Sequence, residues 1–241
     1  MPWPPRDLSP IQLLPNLLTV LAICAGLSAI RFASAGNYVL AVQLVLIACV
    51  LDMLDGRLAR ALGVDGTLGA ELDSLADFLN FGVAPPLILY FWALGETRSL
   101  GWLAVLFYTI CCVLRLARFN MQVHGNGGAA PAEHFTGLPS PGGAMIVLLP
   151  MFVSFALLER PTAPVGIVVT TLVIVGTLMI SRIPVPSFKT IRIRRENAGF
   201  FLLAGALLGA AVLTFAWITL VALTLTYLGL VAWGLIRRNR A

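Results

Sequence analysis

Four aspartates, Asp52, Asp55, Asp73 and Asp77, stand in stretches otherwise apolar enough to cross a membrane. A carboxylate at bilayer depth costs about 3 kcal/mol unless it is paired, hydrated or bound to metal, so such residues mark function. Carboxylate oxygens are hard donors that suit Mg²⁺, Mn²⁺ or Ca²⁺ and not zinc. Arg60 adds a forked cation one turn above the acids, a shape that fits phosphate. A pair of such metals neutralises a diphosphate and stabilises both attacking and leaving oxygens. The chemistry that fits is displacement at phosphorus on a lipid-linked diphosphate.

Two helices must position these groups. Residues at i, i+3, i+4, i+7 and i+8 share a helix face, which gathers Asp52, Asp55, Gly56, Ala59 and Arg60. Gly69, Asp73 and Asp77, each four apart, form a matching stripe on the next helix, with Glu71 off it. The connection Ala61–Leu68 is short enough to make the two helices antiparallel neighbours. Gly56, Ala59 and Gly69 interleave with the acids, and small residues let a bulky ligand or another helix approach the backbone. Simple ion pairing is a poor account of the set, because four aspartates with one arginine on their face leave excess negative charge. A divalent-cation transporter is the stronger rival, but it does not explain why Gly56, Ala59 and Arg60 accompany the acids.

Composition places both helices in a bilayer. Of 241 residues, 59% are hydrophobic and only 11% charged, with a mean hydropathy of +0.93. A soluble domain would carry about twice that charge. With about 20 apolar residues needed per span, the chain is expected to be an all-α, polytopic helix bundle forming one catalytic domain over residues 1–241. Its spans are Leu17–Phe32, Tyr38–Leu62, Gly69–Leu94, Leu100–Val123, Gly142–Leu158, Val165–Ser181, Ala198–Thr214 and Ile218–Ile236. The last two are equally well written as one long hairpin. Only Arg31, Arg98 and Arg160 of the 16 basic residues then fall on one side. The positive-inside rule puts both termini and the acidic stripe at the cytoplasmic face of the cell membrane. The net charge of +5 is accounted for by anionic headgroups there, and no nucleic acid is needed.

Arg6, the apolar Leu17–Ile30 and Ala33-Ser34-Ala35 have the layout of a cleavable leader, but Arg31 interrupts it, so the first span is read as retained. Cys24, Cys49, Cys111 and Cys112 form no CxxC pair and read as small apolar residues. His124 and His134 share one loop and read as solvated, which argues against a histidine-based metal site.

The pattern Asp52-x-x-Asp55-Gly56-x-x-Ala59-Arg60-x8-Gly69-x-x-x-Asp73-x-x-x-Asp77 resembles the signature of the CDP-alcohol phosphotransferase family at every fixed position. That resemblance implies transfer of a phosphatidyl group from a CDP-linked lipid to an alcohol, with release of CMP. It implies that Asp52 and Asp73 bridge two cations, Mg²⁺ or Mn²⁺, and that Asp55 completes one metal site. Asp77 would touch the other cation and act as general base. Gly56, Ala59, Arg60 and Gly69, with Asn16 and Thr19 opening the first span, would surround the cytidine diphosphate. It also implies a homodimer, for which Gly205-x-x-x-Gly209 offers a close-packing face.

Asn80-Phe81-Gly82-Val83-Ala84-Pro85, Arg115-Leu116-Ala117-Arg118-Phe119-Asn120, Phe135–Pro141 and Ser187-Phe188-Lys189 resemble the serine-accepting branch of that family. The implied donor and acceptor are CDP-diacylglycerol and L-serine. Gly142-Gly143 departs from that branch, where a larger residue is expected. Serine is a zwitterion whose carboxylate needs a cation. Arg118 is the first choice for it, with Arg115 or Lys189 on lipid phosphate and Asn120 adding an amide. Glycerol phosphate, inositol or an archaeal lipid remain as alternative substrates.

Overall fold

The computed structural model describes residues 10–63, 67–97, 99–125, 135–157, 163–181, 184–185 and 198–238. Lys189, with Ser187 and Phe188, lies outside the described residues, as does His134. The chain forms two compact units, Met1–Trp92 and Ala93–Ala241.

In the first unit, α1 (Pro10–Ser34) and α2 (Tyr38–Leu62) form a tight antiparallel pair. Gly36, at φ +80°, makes the turn. The Asn37 side chain then caps α2 by accepting from the Leu40 N–H at 3.2 Å. Ala22, Ala25 and Ala48 are buried together between the helices, with Leu51 against them. Such short side chains let the two backbones approach closely at the level of the acids. Gly63, at φ +63°, closes α2, its N–H reaching the Ala59 and Arg60 carbonyls. That left-handed position suits glycine.

The third span is continuous from Leu68 to Thr97 but is not a plain α-helix. α3 (Thr67–Asp77) runs into a π-helical turn at Phe78–Val83, then α4 (Ala84–Leu89), a second π turn at Tyr90–Leu94 and a 3₁₀ turn at Gly95–Thr97. The Ala84 N–H bonds Leu79 O, five residues back. Pro85 and Pro86 explain the widening: each lacks an N–H and clashes with the carbonyl four residues earlier. The uninterrupted helix expected over Gly69–Leu94 is therefore stepped. Inside the first π turn, the fully buried Asn80 packs its amide over Gly26, where any Cβ would collide with Asn80 Oδ1.

The second unit contains α5 (Ser99–Gly125), β1 (Phe135–Thr136), α6 (Ser140–Leu157), α7 (Val165–Ile180), β2 (Pro184–Val185), α8 (Ala198–Thr214) and α9 (Ala216–Arg238). Within it α5 packs on α7, and α6 on α7 and α9. The two short strands pair antiparallel, Phe135 with Val185 and Thr136 with Pro184. Gly137 follows at φ +90°, and a Cβ there would meet Met179 O at 2.6 Å and Ser181 O at 2.9 Å. Only glycine lets this segment lie against the end of α7 and deliver Ser140 to the start of α6.

The protein is a polytopic, all-helical membrane protein. Among the described residues, six helices are long and apolar enough to cross a bilayer, and Val165–Ile180 and Gly205–Thr214 are shorter apolar helices. Their positions follow the expected spans closely, with α1 starting earlier, at Pro10. The four cysteines are free; Cys111 and Cys112 are buried, whereas Cys24 faces outward. No described atom comes within 4 Å of a Cβ built on Gly205 or Gly209, so their close-packing face is not used among the described residues.

Candidate active site

The acids of α2 and α3 converge as their spacing requires. Asp52 comes within hydrogen-bonding reach of Asp77, and within electrostatic range of Asp73 and Asp55. Two carboxylates this close must share a proton or a cation. Asp55 is the deepest of the four, at 3% exposure, while Asp73 opens outward and Glu71 is exposed off the stripe.

The first span holds this cluster from the other side. Thr19, itself buried, places Oγ1 2.5 Å from Asp55 Oδ2 and 3.1 Å from Pro15 O. Donation to the carboxylate fixes Asp55 toward α1. Asn16, one turn earlier, lies beside Gly69: a Cβ there would sit 3.1 Å from Asn16 Oδ1. Around Gly56, by contrast, no atom of the described residues lies within 4 Å of the added carbon. The two glycines therefore serve different ends, one making room for a protein side chain and the other leaving open space beside the acids.

Arg60 donates Nε to Gly56 O at 2.9 Å, one turn back on its own helix. Among the described residues it makes no ion pair with the aspartates, so its terminal nitrogens stay available to an anion. Ala59 is half-buried beside it.

The donor set suits hard cations. Asp52 Oδ1 and Asp55 Oδ1 are buried and without hydrogen-bond partners, a costly state that a divalent ion would relieve. Among the described residues, no three His, Cys, Asp or Glu side chains are drawn into a finished ligand cluster. The residues fit the cations in type and position, with the carboxylates not yet gathered around one point.

Arg115, Arg118 and Asn120 belong to the second unit, on α5. Arg115 Nη1 donates to Ser140 Oγ at the head of α6. Arg118 Nη1 donates to Ile180 O at 2.8 Å, tying α5 to the end of α7. Arg118 thus has a structural duty that its position in the sequence does not reveal. Asn120 is half-buried.

Two outcomes test this geometry. Thr19→Val leaves the buried Asp55 without its hydroxyl donor and should cost about 2 kcal/mol, measured as a lower midpoint of thermal unfolding in detergent. Gly56→Ala meets no protein atom, so folding should be unchanged while nucleotide affinity falls about tenfold or more. Gly69→Ala instead presses on Asn16 and should lower stability as well.

Acid-bearing transmembrane helices with an arginine that pairs with no aspartate among the described residues have the donor types that hard cations and a phosphate require. The chain belongs to the CDP-alcohol phosphatidyltransferase family, whose model matches residues 12–183. That stretch contains all but the first two residues of α1, the whole of α2 and the acid cluster. Among its relatives, the CDP-diacylglycerol–serine O-phosphatidyltransferase of Mycobacterium leprae is 44% identical over 208 residues, 83% of this chain and 67% of that protein. The enzyme of the same name from Mycobacterium tuberculosis is 49% identical over 148 residues, 60% of this chain. There the match spans about half of the relative's length, 51%. The Helicobacter pylori counterpart is 35% identical over 187 residues, covering 77% of this chain and 76% of its own length.

Proposed function

We propose that this protein transfers the phosphatidyl group of CDP-diacylglycerol to the hydroxyl of L-serine, releasing phosphatidylserine and CMP. The observation that carries the reaction type is the meeting of Asp52 with Asp77 from two neighbouring helices, below an arginine that no aspartate occupies among the described residues. The serine acceptor is supported by the names of the relatives.

Asp52, Asp55, Asp73 and Asp77 are the residues that would hold two divalent cations, Mg²⁺ or Mn²⁺. When bound, these neutralise the diphosphate and acidify the incoming hydroxyl. Arg60 takes diphosphate oxygens with its terminal nitrogens, and the open backbone at Gly56 lets the nucleotide lie close to α2. Thr19 keeps Asp55 oriented and Asn16 flanks the site beside Gly69. The serine oxygen attacks the lipid-bearing phosphorus in line, its O–P bond forming as the bond to CMP breaks. The hydroxyl proton passes to the Asp77 carboxylate, with no covalent enzyme intermediate.

The site lies at the cytoplasmic face of the cell membrane with both termini, a reading supported by the one-sided distribution of basic residues. The enzyme works as a homodimer, supported by the family likeness. Incubating purified protein with CDP-diacylglycerol, Mn²⁺ and a panel of serine, glycerol phosphate and inositol tests the proposal. CMP release with serine alone is expected. Release only with another alcohol overturns the acceptor, and no release with any alcohol overturns the enzyme.

A further inference from the structure

The last helix brings a tyrosine to the head of α6, beyond the stretch that the family model matches. Tyr227 of α9 buries its Oη, which has no hydrogen-bond partner among the described residues. It reaches α6 at Gly142, where a Cβ would meet Oη at 2.5 Å and two ring carbons at 2.8 Å. The glycine that departs from the expected larger residue is therefore what leaves room for this phenol.

Two residues earlier, Ser140 is fully buried. Its Oγ accepts from Arg115 Nη1 and, at 3.8 Å, from Cys112 Sγ. An oxygen that already accepts twice is left with its own proton to donate. Arg115 lies within electrostatic range of the Tyr227 hydroxyl and of the wholly buried Tyr108. A guanidinium, a serine hydroxyl and a phenol thus converge from α5, α6 and α9, and all three can donate. They do so at the N-terminal end of an 18-residue helix, whose first-turn N–H groups add positive potential.

We infer that Arg115, Ser140 and Tyr227 form a subsite for an oxyanion, a carboxylate or a phosphate. Its use in turnover rests on the proposed function, where the two sources are the carboxylate of the amino-acid acceptor and the phosphate of a lipid. Tyr227 supplies a neutral donor that orients the anion beside the arginine, and Gly142 sets how closely that donor approaches. This assignment moves anion binding from Arg118, whose Nη1 is tied to Ile180 O, to Arg115.

The test uses the full chain in nanodiscs of phosphatidylcholine, with binding followed by thermal stabilisation. The probes are L-serine, serinol (the same amino alcohol with a hydroxymethyl group in place of the carboxylate) and phosphatidic acid. Tyr227→Phe should weaken either L-serine, with serinol unaffected, or phosphatidic acid, by about tenfold. The first result identifies the carboxylate as the guest and the second the phosphate. Gly142→Ala should do the same by displacing the phenol. Unchanged affinity of Tyr227→Phe for both anionic probes overturns the subsite, as does a wild-type protein that binds neither. Should Gly142→Ala fail to fold, Tyr227→Phe alone decides. CMP release is assayed separately: its absence in the wild type removes the proposed reaction, whereas normal release with an unaltered KM in Tyr227→Phe removes only the subsite.

Discussion

Asp77→Asn is expected to lower CMP release by about a thousandfold, the usual worth of a positioned general base. Nucleotide affinity should stay within about threefold of the wild type. The substitution keeps the shape of the side chain and its place at the end of α3, and removes the carboxylate that the proposed mechanism uses to take the serine proton. It also removes one of the two negative charges that meet between α2 and α3. Binding of CMP in the presence of Mn²⁺, measured by calorimetry beside turnover, separates the two effects. A variant that keeps more than a tenth of wild-type turnover would remove Asp77 from the base role.

Asp52→Asn should act on the cations and not on the proton. Asp52 lies within range of all three other aspartates, and its Oδ1 is buried without a partner. Replacing it should raise the half-saturating Mn²⁺ concentration by about a hundredfold. The metal-free variant should nonetheless melt at a higher temperature than the metal-free wild type, because one source of like-charge repulsion is gone. Wild-type activity should vanish on chelation and return with Mn²⁺. An Asp52→Asn protein with an unaltered Mn²⁺ requirement would show that cations are not held here.

The acid cluster was legible in the sequence because its logic is local. A 3.6-residue period and a short connection determine which faces of α2 and α3 meet, and the aspartates are conspicuous against an apolar background. Asn16 and Thr19 became readable only through the family resemblance, since neither stands out by charge, yet both lie beside the acids. The π turn was not legible. Pro85 and Pro86 announce a disturbance, but whether a helix breaks, kinks or widens depends on what packs around it. Tyr227 was hidden for another reason: a lone tyrosine in an apolar helix carries no spacing signal, and its meaning arises from Gly142, 85 positions away in the chain. In the sequence that glycine is only a departure from the family pattern, without its cause. Arg118 shows the limit of residue type as a guide, because its use as a clasp for Ile180 depends on where α7 ends.

The wide turn at Phe78–Val83 amounts to one surplus residue wedged between the catalytic half of the third span and the half anchored by Ile88 and Leu89. Each residue of an α-helix advances the side-chain direction by about 100°. A π turn fits about one more residue into nearly the same rotation as α-helix, so excising a single residue from it would restore plain helix and leave Asp73 and Asp77 facing α2. The wide turn is thus a place where the third span can change length by one amino acid without re-aiming its acids, whereas the same change within α3 would turn the residues on one side of it by about 100°.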